Sequence, residues 1–187
     1  PRTPGTKLYT LLGDVNRPRL FEAPYGLTLR RIIDTFGGGM RPGSTFRFAL
    51  AGGADTIQFR QKEGSTREMI RAAGEVRAVC HRAGAAFIVN DRVDVAIACG
   101  ADGVHLGRDD FPIPLARKLL GEKAIIGGSA GNLEEAKKCL GEGADYIGFG
   151  PVYPTSSKED AGPAAGLSLM KRIVEAIPLP VVAIGGI

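Results

Sequence analysis

Residues 86–110 read AFIVNDRVDVAIACGADGVHLGRDD. Ala86–Asn90 is a short continuous apolar run, as expected of a strand buried on both faces. A helix candidate follows over Arg92–Cys99, then Gly100-Ala101-Asp102, then a second apolar run over Gly103–Leu106. Gly100 fits the end of a helix, where a positive φ is wanted. Strand, helix, glycine stop and strand with links this short form a βα repeat, and repeated βα units build a parallel sheet.

The same pattern extends outward in both directions. Further strand candidates are Thr56–Arg60, Ala124–Ser129, Tyr146–Gly150 and Pro180–Gly186, with an earlier one at Leu8–Leu12 (LYTLL). Helix candidates lie between them. Thr66–Ala83 carries Met69, Ile70, Ala73, Val76 and Cys80 at helical spacing, and Gly166–Ile177 puts Leu169, Ile173 and Ile177 on one stripe. Asn132–Leu140 opens on a cap residue, with Glu134 and Glu135 early and Lys137 and Lys138 late, which suits the helix dipole. Gly-Ala-Asp recurs at Gly53–Asp55, Gly100–Asp102 and Gly143–Asp145, each time ahead of a strand.

Polar motifs close nearly every strand, and the first strand is not followed by GxGxxG. Both features favour an α/β fold of the (β/α)8 TIM-barrel class over a doubly wound sheet. One domain is expected over residues 1–187, ending after the seventh strand candidate, with 14–43 as an atypically long first connection. The chain begins with Pro1 rather than Met and stops at Ile187, so part of the barrel is expected to be missing.

Composition narrows the function. With 44% hydrophobic and 24% charged residues, the 187-residue chain is an ordinary globular one. Its 27 glycines and 12 prolines show no Gly-X-Y period, so it is not collagen-like. No apolar run approaches the roughly 18–20 residues of a membrane span, and no membrane partner is expected. Cys80, Cys99 and Cys139 lie far apart without C-x-x-C, which excludes a disulfide framework and points to a reducing, cytoplasmic setting. His81 and His105 are the two histidines, so a His-rich metal site is excluded. The net charge of +4 suits phosphorylated small molecules. Aromatic content of 6%, without Trp or a long basic run, argues against nucleic acid.

In a barrel the carboxyl ends of the strands converge on one mouth. Gln58, Arg60 and Lys62 alternate along the end of one strand and so point the same way. A guanidinium fork beside an ammonium suits a di- or triphosphate. Asn90-Asp91 ends the next strand, and His105-Leu106-Gly107-Arg108-Asp109-Asp110 the one after. Carboxylates from adjacent strand ends can share one Mg2+, which takes a few carboxylates plus phosphate oxygens and water. The competing reading makes Asp91 a cap for the helix at 92–99, and Asp109 or Asp110 a cap for the next helix. His105 reads as a packed, hydrogen-bonded strand residue. Gly127-Gly128 let a ligand approach the backbone, and Ser129 can donate to a phosphate oxygen. Thr155-Ser156-Ser157-Lys158 forms an anion site, and the Gly185-Gly186 N–H groups can hold a phosphate.

Taken in order, QFRQK at 58–62, residues 88–110, the glycine–serine turn, GADYIGFGPVYPTSSK at 143–158 and VVAIGGI at 181–187 resemble the thiamine phosphate synthase family. The resemblance covers roughly 49–187 together with LYTLL. It implies a transferase that joins 4-amino-2-methyl-5-(diphosphooxymethyl)pyrimidine to a thiazole phosphate with Mg2+, releasing pyrophosphate and forming thiamine phosphate by a dissociative route. It also assigns residues. Gln58, Phe59, Arg60, Gln61, Lys62, Asn90, Ser129 and Lys158 match the pyrimidine-diphosphate site. Asp91 and Asp110 match the metal carboxylates. Thr155, Ser156, Ser157 and Gly186 match the thiazole-phosphate site. Arg60, Lys62 and Lys158 would act catalytically by neutralising the departing pyrophosphate. Two departures stand out: the turn reads GGSAG without the histidine many relatives carry two residues after the serine, and 14–43 exceeds the usual connection. The rival readings are a related barrel that isomerises the thiazole phosphate and a non-catalytic barrel that binds a phosphorylated ligand. Barrels often dimerise, which keeps a homodimer open.

Overall fold

Six apolar runs stack side by side in the order in which the chain makes them. They are β3 (Thr56–Phe59), β4 (Ala86–Asn90), β5 (Gly103–Leu106), β6 (Ile125–Ala130), β7 (Tyr146–Phe149) and β8 (Val181–Ala183), all parallel in one sheet. A doubly wound sheet would reverse its strand order at a switch point; this order never reverses, as in a barrel wall. The described strands form a half-barrel. The computed structural model describes residues 6–11, 15–24, 27–43, 55–154 and 163–185.

The helices between the strands form where the sequence places their stop and start signals. In α2 (Thr66–Arg82) Ser65 and Glu68 make a reciprocal capping box, and Met69, Ala73, Val76 and Cys80 are the buried stripe. Asn132 caps α5 (Leu133–Gly141) by accepting the Glu135 N–H. Gly100 ends α3 (Val93–Cys99) at φ 66°. The remaining two are α4 (Ile113–Leu120) and α6 (Gly166–Ala176). Strand β5, at the middle of the sheet, is buried throughout, and Phe87, Ile88, Ile126, Ile147, Phe149 and Ile173 lie fully inside. Truncating one of the phenylalanines to alanine would cost about 3–5 kcal/mol. At the β8 edge, Val182 and Ile184 are exposed.

The Gly-Ala-Asp repeat has a structural reason at its last two occurrences. Asp102 accepts the Phe87 N–H of β4 at 2.7 Å, and Asp145 accepts the Ile126 N–H of β6, also at 2.7 Å. Each carboxylate thereby clips its own strand to the one before it, and each meets a cationic or donor side chain from a helix: His81 at 2.8 Å for Asp102, Arg117 at 2.7 Å for Asp145.

The chain divides into two compact units, Pro1–Ala54 and Asp55–Ile187. In the first, β1 (Thr6–Leu11) pairs antiparallel with β2 (Arg19–Pro24), from Thr6↔Pro24 to Leu11↔Arg19. A short helical segment, α1 (Leu29–Arg31) running into a π-turn at Ile32–Phe36, packs Ile32 on Ala23, with Leu27 and Phe36 alongside. The Asn16 amide donates to the Gly38 and Met40 carbonyls, which ties the hairpin connection to the turn after the helix. Most of LYTLL lies in β1, which pairs with β2 in a two-stranded sheet.

Candidate active site

His105 sits in β5, 4% exposed, and is the buried polar side chain of the core among the described residues. Its Nδ1 lies 3.0 Å from the Tyr146 hydroxyl on β7, and its Nε2 lies 2.9 Å from Ser129 Oγ on β6. The Tyr146 ring packs beside the imidazole with centroids 5.4 Å apart. Two glycines make the room: a Cβ at Gly127 would stand 2.5 Å from His105 Nδ1, and one at Gly148 would stand 2.6 Å from its Cε1. Burial pushes the Tyr146 hydroxyl up to about 12, against the opposing effect of a hydrogen bond with the Gln58 side chain. Tyr146, His105 and Ser129 thus form one hydrogen-bonded line across three strands.

The next two predicted residues lie against the same centre. Asn90 is in register with His105 across β4 and β5, and the Asp91 N–H donates to the His105 carbonyl at 2.8 Å. Asp91 has φ 64°, the left-handed region that aspartate tolerates better than most side chains. It is not the cap of α3: that position is Arg92, which makes no side-chain cap bond and instead pairs with Asp94 at 2.6 Å. This bond holds the Asp94 carboxyl below the usual range, against some burial. Asp110 is not the cap of α4 either, where Pro112 stands. One of its oxygens accepts the Gly107 N–H at 2.7 Å and so braces the loop leaving β5.

Asp91 and Asp110 line one open cavity of about 630 Å³, together with Asp109, Asp94, Arg92 and Phe111. Two carboxylates lining one cavity are compatible with a hydrated Mg2+, which takes a few carboxylate oxygens while keeping several waters. Among the described residues no group of three or more His, Cys, Asp or Glu side chains could hold a metal.

Phe59 is half-buried and packs 6.1 Å from Phe87, a structural contact that fixes the end of β3. Arg60 and Lys62 follow it, both exposed, while the Gln61 amide turns to the Glu63 carbonyl at 2.8 Å. Thr155, Ser156, Ser157, Lys158 and Gly186 lie outside the described residues. Their flanks are described. The Val152 and Tyr153 N–H groups donate to the Ile184 and Gly185 carbonyls, and Ala165 and Gly166 donate to Pro151 and Val152. Both ends of the segment holding 155–158 are thus anchored beside the end of β8. Tyr146 was not among the residues singled out from sequence. The signal for it is the pair Gly127 and Gly148, glycines inside buried strands, which mark a close approach of something large.

The sequence profile of the thiamine monophosphate synthase family matches residues 39–187, and that of the SLBB domain matches residues 8–59. A thiamine-phosphate synthase of Methanocella arvoryzae is 52% identical over 141 residues, 75% of this chain and 66% of the relative. One of Moorella thermoacetica is 48% identical over 157 residues, 83% of this chain and 75% of the relative. A solved thiamine phosphate pyrophosphorylase of Pyrococcus furiosus superposes with a TM-score of 0.67 at 47% identity, covering 73% of this chain and 64% of that one. The chain spans about two thirds of the length of such relatives. With a parallel half-barrel, a family profile over residues 39–187 and relatives at about half identity over three quarters of its length, the chain belongs to the thiamine monophosphate synthase family.

Proposed function

We propose that this protein is a transferase that condenses 4-amino-2-methyl-5-(diphosphooxymethyl)pyrimidine with a thiazole phosphate, giving thiamine phosphate and pyrophosphate. The observation that supports this reading is the gathering of Asn90, Asp91, Asp110 and Ser129 around β5, at the ends of neighbouring parallel strands. Family membership supports it.

The reacting carbon is a CH2 between an aminopyrimidine ring and a diphosphate. The ring amino group feeds electrons to that carbon, so the C–O bond breaks first and its electron pair leaves with the pyrophosphate. The thiazole nitrogen then supplies its lone pair to form the C–N bond, and no general base is needed. Arg60, Lys62 and Lys158 neutralise charge on the departing group. Asp91 and Asp110 would hold Mg2+, which when bound acts as a Lewis acid on diphosphate oxygens. Ser129 donates to a phosphate oxygen; Thr155, Ser156, Ser157 and Gly186 receive the thiazole phosphate. Orienting two substrates in one cleft supplies up to about 7–11 kcal/mol of such a barrier. Free thiols at Cys80, Cys99 and Cys139 suit a reducing cytoplasm.

Pyrophosphate release measured with both substrates and Mg2+ tests this. The expected result is release that needs all three. Binding of both substrates without release would replace the reading with the non-catalytic barrel, and conversion of the thiazole phosphate alone would replace it with the isomerase.

A further inference from the structure

We propose that His105 is the positioning residue of this site: it is the middle link of a directed hydrogen-bond chain, Tyr146 to His105 to Ser129, that turns the Ser129 O–H outward to the diphosphate. The proposal rests on the diphosphate reading given above. In an uncharged imidazole one ring nitrogen donates and the other accepts. Which is which follows from the ends of the chain. A diphosphate oxygen accepts, so Ser129 can hold it only with its own proton. Ser129 must then receive a hydrogen bond from His105 Nε2–H rather than give one. That leaves Nδ1 as the acceptor, and Tyr146 as its donor.

Tyr146 is suited to this part. Its hydroxyl keeps its proton far into the alkaline range, because burial disfavours the phenolate. The reverse polarity would spend the Ser129 proton on Nε2 and present only lone pairs to an anion. The ring cannot escape the choice by rotating away: Gly127 and Gly148 leave space for the imidazole and little more, and the Tyr146 ring packs along it. His105 touches no substrate in this scheme. It acts through Ser129, and the arrangement extends across β7, β5 and β6.

The test uses the full chain labelled with 15N in histidine. Only His81 and His105 contribute signals, and the His81→Gln variant assigns them. The expected spectrum places the His105 proton on Nε2, and Tyr146→Phe shifts the ring toward a mixture of tautomers. In the pyrophosphate assay, His105→Asn raises KM for the pyrimidine diphosphate about tenfold with kcat changed less than about twofold, the mark of lost binding rather than lost chemistry. In a Ser129→Ala background the same change adds less than about twofold, because the two act as one unit. A proton on Nδ1, or a full His105→Asn effect without Ser129, overturns the proposal while leaving the transferase reading intact. Should the wild-type chain release no pyrophosphate, the transferase reading falls, and the tautomer alone decides whether the chain of donors is as drawn.

Discussion

At the amino ends of the sheet, Asp102 and Asp145 are each spent on protein: one backbone N–H from the preceding strand and one helix side chain. At the carboxyl ends, Asp91 and Asp110 face one open cavity, Asp91 from a left-handed turn and Asp110 from a loop it braces itself. The residue type is the same, and the sheet is the same. What differs is what each carboxylate meets: a backbone N–H of the preceding strand and a helix side chain at one rim, a shared cavity at the other. A parallel sheet has this asymmetry built in, with stability concentrated at one rim and chemistry at the other. The contrast also predicts how substitutions at the two rims separate.

The largest effect is expected at the chemical rim. Asp91→Asn keeps a residue that tolerates φ 64° but removes the charge. Pyrophosphate release at fixed Mg2+ should fall on the order of a hundredfold, about 2.7 kcal/mol of barrier, and half-saturation should move to higher Mg2+. Thermal unfolding should move little. Asp110→Asn should behave alike in Mg2+ dependence. Saturation at the wild-type Mg2+ concentration would remove both carboxylates from the metal role.

At the structural rim the readouts exchange. Asp145→Ala orphans the N–H of Ile126, a fully buried residue, and releases Arg117 from one of its partners. A buried donor left unmade costs about 1–3 kcal/mol, so denaturant unfolding should shift by that much. KM and kcat of the folded protein should not change. A variant that lost activity without losing stability would erase the division between the rims.

Much of the wall was legible in the residues. Continuous apolar runs punctuated by Gly-Ala-Asp bound the strands closely: Ala86–Asn90 and Gly103–Leu106 are strands over those residues. LYTLL shows the limit of the method. Its pattern fixes a strand but not a partner, and the partner is RLFEAP at 19–24, a run preceded by Pro18 and ending in Pro24, residues that argue against a strand. Asp91 shows another. The spacing suits a helix cap as well as a metal ligand, and only the backbone angle and the Arg92 cap position separate the two. The line through His105 that joins three strands is out of reach for a third reason. Local periodicity says which face a side chain takes, but not which atom on a different strand it will meet.

The smallest expected effect concerns Asp102 and its pH dependence. Burial pushes this carboxyl up, but the Phe87 N–H and His81 outweigh it and hold it below the usual range. An unfolded aspartate titrates near 3.9, so the stabilisation is fully present above about pH 3.9. It is lost as pH falls through the lower folded value. Asp102→Asn retains an oxygen that can accept the Phe87 N–H but not the charge behind it, so at neutral pH it should be less stable than wild type by under about 1 kcal/mol. On acidification the wild-type carboxyl gains its proton and that gap should close. Urea unfolding of the pair at neutral pH and again below about pH 3.9 reads this directly. A gap that persisted unchanged into acid would mean that Asp102 works by shape alone, and the two rims would then differ in geometry rather than in the use made of a charge.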